Sequence, residues 1–145
     1  MVCLGNICRS PLAEGILKTK VSSAVVVDSA GTSGLHSGEL PDIRSIEIAK
    51  KNHIDITNQR SRKFTPNDFE DFDLIYVMDK SNYENVTKLS TNKEELSKVK
   101  IILNECYPDE NLEVPDPYYG GEQGFTTVFN MLDDACEVIA SKINT

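Results

Sequence analysis

Apolar residues recur along this chain with two periods, one of strands and one of helices, and the two alternate. Met1-Val2 predicts the end of a strand, and Cys3 to Arg9 a tight turn. Ser10-Pro11 then predicts an N-cap and a first helical residue. Behind them Leu12, Ala13, Ile16 and Leu17 form an apolar stripe at helical spacing. Ala24 to Val27 is rich in β-branched residues and predicts a buried strand, followed by a loop from Ser29 to Gly34. Asp42 predicts the cap of a helix carrying Ile43, Ile46, Ile48 and Ala49. Asp73 to Met78 predicts a second buried strand, with a helix from Lys80 to Leu89 behind it. Val99 to Leu103 predicts a further strand, and Asn104 to Gly121 a long polar loop with three prolines. The last helix is expected from Glu122 to Ile143, with Phe125, Val128, Phe129, Leu132, Ala135, Cys136 and Ile139 on its inner face.

Strands separated by helices imply an α/β fold with parallel pairing, right-handed crossovers and helices on both faces of the sheet. Only two residues precede Cys3, whereas a buried parallel strand usually has about five. The first strand is therefore expected to be very short or trimmed at its start, and trimming is the favoured reading.

The chain has 145 residues, which predicts a single domain over 1–145 without repeat or linker. Its net charge of -8 argues against nucleic acid or an anionic membrane as partner, since both need a cationic face. An anion held locally by backbone N–H groups and one arginine remains compatible with that charge. No apolar run reaches the roughly 18 residues of a membrane span. Met1 to Asn6 has neither the basic start nor the apolar core of a signal peptide, so the expected location is cytoplasmic. Four cysteines (Cys3, Cys8, Cys106, Cys136) form no CxxC pair and no metal-like cluster with His36 and His53. In a cytosolic chain they are expected to be reduced. Cys136, among apolar residues, reads as a small core residue, and Cys106 has no evident role.

The segment Cys3-Leu4-Gly5-Asn6-Ile7-Cys8-Arg9-Ser10 carries the chemistry. A phosphate dianion needs several converging donors with no bulky side chain between them. A strand-to-helix turn supplies them, because its N–H groups point inward and the helix N-terminus adds partial positive charge. Gly5 removes a Cβ at the bend, and Asn6 tolerates positive φ and can brace the loop. Arg9 can close the ring and grip two oxygens with its planar fork. The same field favours thiolate over thiol at Cys3, and Ser10 can donate to the sulfur.

VCLGNICRSPLAE resembles the signature of the low-molecular-weight protein tyrosine phosphatases. Asp28-Ser29-Ala30-Gly31-Thr32, Asp73-Leu74-Ile75 with Met78-Asp79 and Asn82, and Val114-Pro115-Asp116-Pro117-Tyr118 resemble further blocks of that family in the right order. The resemblance implies a three-layer αβα fold with a four-stranded parallel sheet, the phosphate loop lying between the first strand and the first helix. It implies neither metal nor organic cofactor. It assigns the nucleophile to Cys3, the phosphate clamp to Arg9, the loop brace to Asn6, the thiolate donor to Ser10 and the general acid to Asp116. The substrate would be a phosphotyrosine-containing protein, in bacteria often a tyrosine kinase of polysaccharide export.

A tyrosyl oxygen leaves poorly as an anion, so a cysteine-based hydrolysis needs an acid that later accepts a proton from water. Asp116 suits that task, between Pro115 and Pro117, which stiffen its loop. Tyr118 and Tyr119 would line a slot deep enough for a phenyl ring, with Ile7 and Leu35 on the opposite wall. Two departures from the resemblance bear on tuning: Leu35 replaces a frequent aromatic, and Gln59 a histidine near the loop-bracing network. Cys8, five residues from Cys3, is the expected redox partner that captures an oxidised nucleophile as a disulfide. Three other functions compete with this reading. An arsenate reductase would need resolving cysteines, and Phe69 to Leu89 contains none. Protein-arginine phosphatases tend to carry Thr where Ile7 stands. A non-catalytic phosphate binder would need neither Cys3 nor Asp116.

Overall fold

The computed structural model describes residues 1–118 and 120–144. The chain runs β1 (Val2–Cys3), α1 (Arg9–Lys18), β2 (Ala30–Gly31), α2 (Ile43–Lys51), α3 (Asn67–Asp71) and β3 (Ile75–Val77). It continues through α4 (Lys80–Thr87), α5 (Lys93–Ser97), β4 (Val99–Ile101), a 3-10 turn (Ile102–Glu105) and α6 (Glu122–Ile143). The four strands form one sheet in the order β2-β1-β3-β4. All pairs are parallel, with Val2 between Ala30 and Val77, and Ile75 opposite Val99.

Side chains alternate across the sheet, as the period of two requires. Val2, Ile75, Val77, Val99 and Ile101 pack on one face with Phe64, Phe69 and Val86. Cys3, Tyr76 and Met78 pack on the other with Leu12, Ile16, Ile48, Leu132 and Ile139. Helices α1, α2 and α6 therefore cover one side and α3 and α4 the other, giving three layers. Each fully buried Leu, Ile or Phe contributes about 1.5–3 kcal/mol, so α6, with eight buried residues, is a main source of the fold's stability. No helix among the described residues is long and apolar enough to cross a membrane.

Three sequence expectations are corrected. The Ala24–Val27 segment is not a strand; Val26 is 77% exposed, and β2 forms instead at Ala30–Gly31, inside the expected loop. Ser10 is not the N-cap of the first helix: the cap is Cys8, the helix starts at Arg9, and the Ser10 hydroxyl is used elsewhere. Leu103 belongs to a 3-10 turn rather than to β4. Helix α2 does carry Ile43, on its exposed side.

The connections position the site. From central β1 the chain moves out to β2 on one side, then crosses to β3 on the other. Such a switch point opens a crevice at the carboxyl ends of the strands, and there the turn from Cys3 to Arg9 lies.

Candidate active site

Five carbonyls of the turn are occupied by protein donors. Cys3 accepts from Thr32 N and Leu4 from Ser33 N, both at 2.9 Å, and Ile7 from Asp42 N at 2.8 Å. Gly5 accepts from Ser61 Oγ at 3.0 Å and Cys8 from Ser45 Oγ at 3.2 Å. The N–H groups of Leu4, Gly5, Asn6, Ile7 and Cys8 donate to no acceptor among the described residues. With its carbonyls tied back and its amides unpaired, the turn is an anion-binding concavity beside the N-terminus of α1. Asn6 stands at φ 55°, a conformation that Asn tolerates better than most residues. Gly5 does not need positive φ; its missing Cβ leaves room for the His36 ring, which that carbon would approach to 3.1 Å. Gly31 lets the end of β2 pack on the turn, since a Cβ there would lie 2.8 Å from the Leu4 carbonyl.

Beneath the turn, Asn6 Nδ2 donates to Ser10 Oγ at 2.7 Å and to Ser29 Oγ at 3.0 Å. Ser29 Oγ in turn donates to Glu14 Oε1 at 2.7 Å. Ser10 Oγ lies 3.1 Å from Cys3 Sγ and 3.5 Å from the Ala30 carbonyl. Having accepted from Asn6, it directs its one hydrogen best to the sulfur. Asn6 Oδ1 accepts from Arg62 N at 3.0 Å. Glu14 closes the signature segment and Ser29 lies in the second block, yet neither was assigned a site role, and Arg62 lies outside every block. Gln59 stands outside this network: its Nε2 donates to the Pro11 carbonyl at 3.1 Å, and its Oε1 is buried without a partner among the described residues.

Arg9, 2% exposed, is fixed from one side. Its Nη1 donates to Asp79 Oδ2 at 2.7 Å and to the Val114 carbonyl at 3.0 Å, while Nη2 lies 3.9 Å from Asp116 Oδ2. Asp79 also caps α4 by accepting from Asn82 N; in the sequence it stood only within the Met78-Asp79 block, with no sign of its bond to Arg9. Asp116 Oδ1 accepts from Tyr118 N at 3.0 Å.

A cavity of about 320 Å³ brings together Cys3, Cys8, Arg9, Ile7, Asp116 and Tyr118. Leu35 reaches its mouth but is 81% exposed, so it forms a rim rather than a wall. His36, paired with Glu39 at 2.8 Å, lines the same mouth and was not among the expected residues. Tyr119 lies outside the described residues. Cys8 is buried in the turn, and its thiol is pushed up to about 12, by burial first and then by Asp42, Cys3 and Asp116. Among the described residues no three His, Cys, Asp or Glu side chains converge as a metal ion would need.

Fold and site together define an α/β protein with an anion cradle at the carboxyl edge of a parallel sheet. The model of the low molecular weight phosphotyrosine protein phosphatases matches residues 1–145, and the chain belongs to that family. A relative in Schizosaccharomyces pombe, named low molecular weight phosphotyrosine protein phosphatase, is 41% identical over 141 residues, which is 92% of this chain and 88% of that protein. The structure of Vibrio vulnificus Wzb in complex with benzylphosphonate is 31% identical with a TM-score of 0.88, covering 97% of this chain and 94% of that one. Drosophila arginine phosphatase is 30% identical with a TM-score of 0.90, covering 99% and 96%.

Proposed function

We propose that residues 1–145 act as one phosphatase domain that hydrolyses phosphotyrosine in proteins, tyrosine kinases among them, through a phosphocysteine on Cys3. The five unpaired N–H groups of the turn, closing with buried Arg9 around the Cys3 sulfur, carry this reading. The thiolate attacks phosphorus, and the P–O bond to the ring breaks as Asp116 gives its proton to the phenolic oxygen. Water then attacks the phosphocysteine, its proton passes to the Asp116 carboxylate, and the P–S bond breaks to return thiolate and inorganic phosphate. Arg9 keeps Nε and Nη2 free of hydrogen bonds among the described residues, and that edge fits two phosphate oxygens. Ser10 steadies sulfur as nucleophile and as leaving group.

Asp116→Ala is expected to lower kcat/KM for phenyl phosphate about 10²–10⁴-fold, with a shrinking loss as the leaving group becomes more acidic. A deficit independent of leaving-group acidity would make Asp116 structural. The apolar Ile7 side chain at the cavity favours an aryl ester over a guanidine. Phosphotyrosine and phosphoarginine peptides compared at equal concentration decide between them, and preference for phosphoarginine would overturn the aryl reading.

Peroxide converts the Cys3 thiolate to a sulfenic acid, and the neighbouring Cys8 thiol condenses with it to a disulfide, releasing water. Burial keeps Cys8 protonated, so it does not compete as nucleophile while reduced. Peroxide-treated enzyme should regain activity with a thiol reductant, and Cys8→Ala should recover poorly. Full recovery of that variant would remove Cys8 from the redox scheme.

A further inference from the structure

The start of α2 is tied to the phosphate turn twice, through Asp42 N to the Ile7 carbonyl at 2.8 Å and Ser45 Oγ to the Cys8 carbonyl at 3.2 Å. Between those two anchors stands Arg44. Asp42 grips its guanidinium on two sides, Nε to Oδ1 and Nη2 to Oδ2, each at 3.0 Å. So braced, Arg44 reaches the acid loop. Its Cζ lies 5.5 Å from the centroid of the Tyr118 ring and 4.6 Å from that of Phe125, and its Nη1 is 3.4 Å from the Gly120 carbonyl.

The other end of the acid loop is held separately. Val114 N donates to the Met78 carbonyl at 2.9 Å, and the Val114 carbonyl accepts from Arg9. Asp116 therefore sits in a span fastened to the sheet and Arg9 before it and to Arg44 after it. Its carboxylate takes the Tyr118 N–H, so the placement of Tyr118 sets the direction of the carboxylate. A cation over two aromatic faces, with a planar fork locked by a carboxylate, holds both distance and orientation.

We infer that Arg44 is a positioning residue for the general acid: it registers the acid loop against the phosphate turn and holds Asp116 over the leaving oxygen. This rests on the reading of Asp116 as proton donor. A positioning loss falls where proton donation matters and vanishes where it does not.

The test is kcat/KM, which reports cysteine phosphorylation, for wild type, Arg44→Ala and Arg44→Lys across aryl phosphates of graded leaving-group acidity. Arg44→Ala is expected to lose about tenfold on phenyl phosphate and less than about twofold on 2,4-dinitrophenyl phosphate, whose anion departs unaided. Arg44→Lys should fall between, keeping charge over the rings without the fork. In an Asp116→Ala background, Arg44→Ala should add no further loss on phenyl phosphate. If Arg44→Ala does not fold, Arg44→Lys and Tyr118→Leu carry the same comparison, and each should show the leaving-group dependence. A loss uniform across the series, or one that persists undiminished without Asp116, overturns the role of Arg44 and leaves the phosphatase reading standing. A wild type inactive on every aryl phosphate overturns that reading instead.

Discussion

Asn6 shows how one residue can organise a turn: positive φ bends the chain, Nδ2 binds two serine hydroxyls, and Oδ1 takes the Arg62 N–H. That Asn6, Cys3, Arg9 and Ser10 come together in one turn was legible because all four lie within eight residues. Asp79 and Val114 hold Arg9 from 70 and 105 positions away, and no local pattern connects them to it. That arrangement predicts the result of Arg9→Lys. One ammonium cannot hold Asp79 and the Val114 carbonyl while also bridging two phosphate oxygens. Turnover of p-nitrophenyl phosphate should drop by at least about 10²-fold, the scale lost with one preorganised donor to the reacting phosphoryl group. Cys3→Ser should abolish turnover yet retain inorganic phosphate binding by calorimetry, since the amide donors of the turn survive. Near-normal kcat in either variant would contradict the assignment.

At the scale of elements, long segments were legible and short ones were decided by pairing. Helix α6 spans the residues its apolar stripe predicted, Glu122 to Ile143. The β-branched Ala24–Val27 segment lost its strand to Ala30–Gly31, because only the latter has small residues where β1 and the phosphate turn approach. Propensity favours a strand at Ala24–Val27 and disfavours one at Ala30–Gly31, and tertiary contact overrides it. Two short helices went unread although their signals were present. Thr65 N bonds Asp68 at the start of α3, and Asn92 accepts from Glu94 and Glu95 N at the start of α5. Asp42 caps α2 through Arg44 N at 2.8 Å. Burial pushes its carboxyl up, but the bonds from Arg44 outweigh that and hold it below the ordinary carboxylate range. A carboxyl lowered in the folded state stabilises above its unfolded value and loses that contribution as pH falls through its folded value. Asp42→Ala should therefore cost about 1 kcal/mol at pH 7 by urea unfolding. The gap to wild type should narrow below about pH 4; a gap that holds constant down to pH 3 would mean the cap acts without its charge.

At the scale of the whole molecule, a net charge of -8 surrounds a site built for a dianion. The two coexist because the site's positive potential is local. It comes from unpaired amides, the start of α1 and an arginine that is 2% exposed, while the surface charge acts at longer range. An anionic substrate is therefore expected to meet a net repulsive field and to be held only at close range. That field is screened over about 10 Å at 0.1 M salt, whereas the short-range cradle is much less affected. A phosphotyrosine peptide with acidic flanks should gain about threefold in kcat/KM as sodium chloride rises from about 0.02 to 0.2 M, because screening relieves repulsion during encounter. A peptide with lysine flanks should lose by a similar factor, and kcat should stay constant for both, since chemistry inside the cradle does not sense the bulk ions. Stopped-flow or steady-state assays in a non-phosphate buffer would measure this directly. Equal salt responses for the two peptides would show that encounter is governed by the cavity mouth, where His36 and Leu35 stand, and not by the molecule's net charge.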